Sequence, residues 1–141
     1  MVYSIIYKSK SKKSFHIDEI RKMLSKAKRF NKVNNITGII LYYKHQFIQL
    51  IEGDKKSIES LYKDIQADKR HFDVETIIST TSKQSLWTEW SMAFYDFSDT
   101  TDQSDYLRLL LEASFEDINS KQKDSMVLKT LREYTSQILD R

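Results

Sequence analysis

The chain has 141 residues, a mild formal charge of +3, no cysteine, no proline and two glycines, enough length for one domain with a sizeable core. The lack of cysteine excludes disulfides, thiol chemistry and cysteine-bound metal, and fits a reducing, cytoplasmic setting. Glycine occurs only at Gly38 and Gly53, which rules out a G-x-G-x-x-G or Walker phosphate loop.

Val2 to Tyr7 reads as a first strand, with Tyr3, Ile5 and Tyr7 on one face. Lys8 to Ser14 is polar and basic and reads as a loop. A helix is expected over 17–31, because Ile17, Ile20, Leu24, Ala27 and Asn31 form one stripe. Asn31 closes that stripe, an amide in line with carbon. Strands over 36–43 and 46–52 follow, joined by a short turn at Lys44-His45. On the second, Phe47, Gln49 and Ile51 share a face. Gly53-Asp54 turns the chain, and Asp54 is placed to cap a second helix. There Ile58, Leu61, Tyr62 and Ile65 recur at helical spacing up to an end near Asp68. Val74 to Thr81 and Glu89 to Tyr95 read as further strands, with Trp90, Met92 and Phe94 on one face of the last. Residues 97–104 form a polar linker. Two amphipathic helices end the chain, one carrying Tyr106, Leu107, Leu110, Leu111 and Phe115, the other Leu128, Leu131, Tyr134 and Ile138.

The expected fold is α+β, a ferredoxin-like β-α-β-β-α-β-β sheet with two helices on one face, plus two C-terminal helices. Residues 1–96 would be the domain and 97–141 a helical extension packed on it. No apolar run approaches the ~20 residues of a membrane helix, and Met1 to Tyr7 lacks a signal peptide's features. Basic residues cluster at 8–13 and 22–32, but acidic residues lie between and after them. They read as solvated faces rather than as a nucleic-acid surface. His16, His45 and His71 fit no zinc spacing.

The core face of such a sheet should be carbon, yet this pattern turns Tyr7, Gln49 and Met92 inward and brings Asn31 over them. A buried amide costs free energy unless it is hydrogen-bonded. Two readings satisfy it. In one, Gln49 pairs with Tyr7 or with backbone and Asn31 caps its helix. In the other, both amides meet a flat heteroaromatic ring whose edge alternates N–H and C=O.

Five stretches in order resemble the BLUF photoreceptors, which sense blue light with FAD. They are Ser4-Ile5-Ile6-Tyr7-Lys8-Ser9, the run from Ala27 through Asn31 to Asn35-Ile36-Thr37-Gly38 and Tyr42, Phe47-Ile48-Gln49-Leu50-Ile51-Glu52-Gly53, Asp68-Lys69-Arg70-His71, and Trp90-Ser91-Met92. The resemblance spans Val2 to Tyr95. It implies noncovalent FAD with its ring between the two helices, contacted by Tyr7, Asn31, Gln49, Ile65, Arg70 and His71. Tyr7 and Gln49 would be the photoactive pair, with Gln49 rearranging its hydrogen bonds after light-driven electron and proton movement. Trp90 and Met92 would carry the signal onward, and Arg70 and His71 would meet the ribityl-phosphate part. The chain departs from the family at Phe30, where a polar residue is common, at Ala27, sometimes serine, and at Lys8, usually small.

The expected function is therefore a blue-light sensor, not an enzyme, acting on a downstream signalling or transcription-regulating protein. It would contact neither membrane nor nucleic acid directly, and homo-oligomerisation is left open. The alternative is a light-insensitive ferredoxin-like interaction or ligand-binding module. An acylphosphatase-like enzyme would need a glycine and an arginine in Lys8 to Ser14, and neither is there.

Overall fold

The computed structural model describes residues 1–12, 17–43, 45–83, 92–96 and 126–139. In chain order these form β1 (Val2–Ser11), α1 (Ile17–Val33), β2 (Thr37–Tyr43), β3 (Gln46–Gly53), α2 (Lys55–Ala67), β4 (His71–Ser82), β5 (Met92–Asp96) and α3 (Met126–Leu139). The sheet order is β4-β1-β3-β2-β5. The first four strands are antiparallel to their neighbours, and β5 adds parallel to β2. This is the ferredoxin-like α+β arrangement, in which each β-α-β crossover leaves a gap filled by a strand of the other.

β1 and β4 correct the sequence reading. The stretch Lys8 to Ser11, expected as loop, continues β1. Its Lys/Ser alternation is itself a strand pattern. Lys8 and Lys10 point one way and reach Glu75 at 3.6 Å and Asp73 at 3.7 Å on β4. Ser9 and Ser11 point the other way and are buried. β4 correspondingly starts at His71 rather than Val74. Two register shifts bend it against β1, and Asp73 near the second has a φ of 53°.

Two polar devices set the helix ends that matter here. Asp54 accepts a hydrogen bond from the Ser57 N–H at 3.2 Å and caps α2, as its position predicts. α1 ends differently. It runs two residues past Asn31, and Asn35 takes the left-handed conformation with φ of 54°. The Ile36 N–H then donates to the Asn31 carbonyl at 2.8 Å and the Asn35 N–H to Lys32 at 3.4 Å, a Schellman closure. Asn31 is thus inside the last turn, and Asn35, not Asn31, is the cap. The β2–β3 hairpin closes tightly, Tyr43 opposite Gln46, with His45 at a φ of 66°.

The sheet is covered on both faces. On one, Ile5, Tyr7, Ile36, Ile51, Ile58 and Tyr62 form a cluster under α2. The other bears Ile6, Ile39, Ile48 and Leu50, all fully buried. α3 lies across β1 to β4 on this second face, since Lys8 places its ammonium 5.7 Å from the Tyr134 ring. Leu128 and Leu131 of α3 are fully buried. The expected helix around Tyr106 to Phe115 lies outside the described residues, as do the first residues of the strand expected over 89–95. Among the described residues, no helix is long and apolar enough to cross a membrane.

Candidate functional site

Between α1 and α2, over the Tyr7 face of the sheet, lies a cavity of about 560 Å³, within the size range of small-molecule sites. Its floor is Tyr7, Ile40, Phe47 and Gln49. These come together because Tyr7 pairs with Gln49 across β1–β3, and Gln49 with Ile40 across β2–β3. The α1 wall is Met23, Lys26, Ala27, Phe30 and Asn31; the α2 wall is Leu61, Asp64 and Ile65. Asp68 and Arg70, between α2 and β4, and His71, which opens β4, close one side.

Tyr7 Oη donates a hydrogen bond to Gln49 Oε1. Gln49 is 8% exposed and Asn31 2%. Burial pushes the Tyr7 phenol far above its ordinary range, helped by Tyr62 and Asp68. The group therefore enters any chemistry protonated and as a donor. The Tyr62 ring lies 5.5 Å from that of Tyr7, tilted by 44°, and its hydroxyl shares a hydrogen bond with Thr76. The Asn31 amide lines the cavity with no hydrogen-bond partner among the described residues. An amide left in this state asks for donors and acceptors from a bound molecule.

The other predicted contacts are placed unequally. Ile65 lines the α2 wall. His71 lines the cavity, but both ring nitrogens already have partners. Nε2 donates to the Ile65 carbonyl at 2.6 Å, and Nδ1 shares a hydrogen bond with Ser9 Oγ at 2.8 Å. Arg70 folds back onto Asp68: its Nε donates at 3.0 Å to both carboxylate oxygens, and its Nη2 adds an ion pair. That pairing holds the Asp68 carboxyl below its usual range and raises the guanidinium. Phe30, where the sequence departs from the family, is 43% exposed at the rim. Met92 opens β5 in register with Gly38, and Trp90 lies outside the described residues.

Several lining residues escaped the sequence reading. Met23 lies four residues before Ala27, on the side of α1 next to the stripe that predicts the helix. Lys26 and Asp64 carried no local signal, and only the packing of the helices brings them to the rim.

An aromatic and apolar floor, one orphan amide at the wall and a Tyr–Gln hydrogen bond between them suit a planar ring with a polar edge. The residues present therefore fit a flavin. The chain matches the family model BLUF, sensors of blue-light using FAD, over residues 2–93. It is 27% identical over 96 residues to the blue light- and temperature-regulated antirepressor BluF of Escherichia coli (strain K12), covering 68% of this chain and 24% of that protein. To the photoactivated adenylate cyclase subunit alpha of Euglena gracilis it is 47% identical over 47 residues, 33% of this chain and 5% of that one. The structure of Klebsiella pneumoniae BlrP1 with calcium and cyclic diGMP superposes with a TM-score of 0.76 at 26% identity, over 99% of this chain and 34% of that one. The photo-activated state of BlsA shares the fold, with a TM-score of 0.69 at 23% identity over 99% of this chain and 95% of that one. This chain thus spans about a quarter of the antirepressor and a third of BlrP1.

Proposed function

The chain belongs to the BLUF family of sensors of blue light using FAD, and from that premise we propose that it is a blue-light receptor whose switch is the Tyr7–Gln49 pair. The observation that supports this most is the hydrogen bond from Tyr7 to Gln49 on the floor of a cavity walled by the Asn31 amide, which has no hydrogen-bond partner among the described residues.

Bound FAD would supply blue-light absorption and an acceptor for an electron. Asn31 would hold the polar edge of the ring at the end of α1, and Ile65 would pack against the ring from α2. Tyr7 can lose an electron and a proton together, and burial keeps that proton in place beforehand. Gln49 presents its oxygen to Tyr7 and has its –NH₂ group at the other end of the same amide. Turning or tautomerising the amide exchanges donor for acceptor at that position. The change is local, and its readout is distant.

The output route runs through β3. Ile48 and Leu50 flank Gln49 in sequence and project to the face that α3 covers. A shift of the Gln49 backbone would therefore reach the face of β3 that α3 covers. The receptor acts through contact with a downstream signalling or transcription-regulating protein and carries no enzymatic step of its own. The relatives named as an antirepressor and as cyclase subunits support such coupling of this kind of domain to different outputs.

The test is absorption spectroscopy of the protein purified in the dark with FAD. A yellow protein whose flavin band moves to the red under blue light and returns in the dark supports the reading. A protein that takes up no FAD, or holds it without a reversible shift, would make it a light-insensitive ligand-binding module instead.

A further inference from the structure

A tyrosine ring turns broadly about its last bond, so the hydrogen bond at the tip of Tyr7 does not by itself fix the plane of its ring. Two other rings stand against it. His71 meets it edge-on, with centroids 6.4 Å apart and planes at 75°. Tyr62 meets it at 5.5 Å and 44°. Both separations lie in the range where aromatic pairs attract. His71 lines the cavity, whereas Tyr62 reaches Tyr7 from α2 without lining it.

Tyr62 is itself held at two points. Its ring belongs to the buried cluster of Ile5, Ile36, Ile51 and Ile58. Its hydroxyl shares a hydrogen bond with Thr76 Oγ1 at 2.5 Å. Thr76 is the β4 residue opposite Tyr7 in the β1–β4 ladder, where the register shifts between Ile6 and Tyr7. The three residues close a loop. Tyr7 is joined to Thr76 through the sheet, Thr76 to Tyr62 through their hydroxyls, and Tyr62 to Tyr7 through their rings.

We propose that Tyr62, tethered by Thr76, is a positioning residue for the light reaction: it fixes the ring of Tyr7 so that the phenol stays on Gln49 when light is absorbed. The inference rests on the flavin reading above. It gives α2 a part in the switch that is separate from its part in the cavity wall. Tyr62 acts through Tyr7 and not on the bound molecule.

The test is the quantum yield of the reversible red shift, measured on the full chain purified in the dark with FAD. The yield is read per bound flavin, so a variant that only lowers the folded fraction leaves it unchanged. Tyr62→Leu removes the ring and should lower the yield roughly twofold to tenfold, the population change that one aromatic contact controls. Tyr62→Phe and Thr76→Val each break the tether and should lower it less. Their double variant should be no worse than either single one, because both remove the same hydrogen bond. Thr76→Ser restores the hydroxyl and should recover the wild-type yield. FAD affinity should stay close to that of wild type throughout, since neither Tyr62 nor Thr76 lines the cavity. A wild-type yield in Tyr62→Phe and Thr76→Val would overturn the proposal, and these two decide it if Tyr62→Leu does not fold. Losses that add in the double variant, or a loss of FAD affinity in place of yield, would overturn it as well. A wild-type protein that shows no red shift would remove the flavin reading, and this role with it.

Discussion

Tyr7 and Gln49 stand opposite each other in the β1–β3 ladder, and the phenol of one donates to the amide oxygen of the other. Tyr7→Phe deletes that donor and leaves the ring in its tilted contact with Tyr62. FAD should remain bound while the reversible red shift disappears from the light-minus-dark spectrum. An unchanged light response would take Tyr7 out of the switch. The same variant reports on the raised phenol pKa. The unfolded chain loses its tyrosine proton near pH ~10 and the folded chain does not. The Tyr7 contribution is therefore complete below that pH, and falls by up to about 1.4 kcal/mol per pH unit above it. The urea-unfolding difference between wild type and Tyr7→Phe should accordingly shrink from pH ~9 to pH ~11.

Asn31 and Asn35, four residues apart, have separate jobs and should respond separately. The left-handed Asn35 closes α1. Asn35→Ala forces a Cβ-bearing residue with no compensating side-chain polarity into that conformation and should cost about 1 kcal/mol of stability, with Asn35→Gly neutral or better. Asn31→Ala leaves this closure intact, because its carbonyl still accepts from Ile36. It should weaken flavin binding roughly tenfold with little change in the unfolding midpoint of the apoprotein. If Asn31→Ala destabilises the apoprotein as much as Asn35→Ala does, its amide belongs to the helix end and not to the pocket.

Parity and periodicity were enough to bring Tyr7, Gln49 and Asn31 toward one another, because strand and helix faces are local properties of the chain. They were not enough to end α1. The apolar stripe stops at Asn31, while the helix stops where Asn35 can adopt a positive φ. The misread loop at Lys8 to Ser11 has a different cause. Its Lys/Ser alternation lacks the β-branched residues that mark a strand, and what holds it extended is pairing with β3 on one side and β4 on the other, both distant in sequence. Arg70 and His71 show a third limit. Their motif locates them at the cavity, but only the fold reveals that Asp68 already engages Arg70 Nε and Nη2, and that Ile65 and Ser9 engage both ring nitrogens of His71.

The Asp68–Arg70 pair provides a second pH test. Arg70 holds the Asp68 carboxyl below its usual range, so the pair stabilises the fold above the ordinary carboxylate pKa and stops doing so as pH falls through the lowered value. Both groups are partly exposed, which limits the effect to under about 1 kcal/mol. Asp68→Asn should be less stable than wild type near neutrality by that amount, and the difference should close between pH ~5 and pH ~2. A difference that persists at the acid end would mean that the carboxylate acts as a shape or a hydrogen-bond acceptor rather than as a charge.

α3 tests whether the second face of the sheet belongs to the switch. Leu131 is 0% exposed beneath it, and Thr135 one turn later returns a hydrogen bond to the Leu131 carbonyl at 2.6 Å. Leu131→Ala should cost 2 to 5 kcal/mol, roughly the range for a buried leucine, which would make α3 part of the folding unit rather than an appendage. If the route from Gln49 passes through Ile48 and Leu50 to this helix, amide hydrogen exchange over Met126–Leu139 should differ between dark and illuminated protein, and Tyr7→Phe should erase the difference. Exchange that is the same in dark and light while the flavin band still shifts would confine the switch to the cavity side of the sheet and exclude α3 from its output.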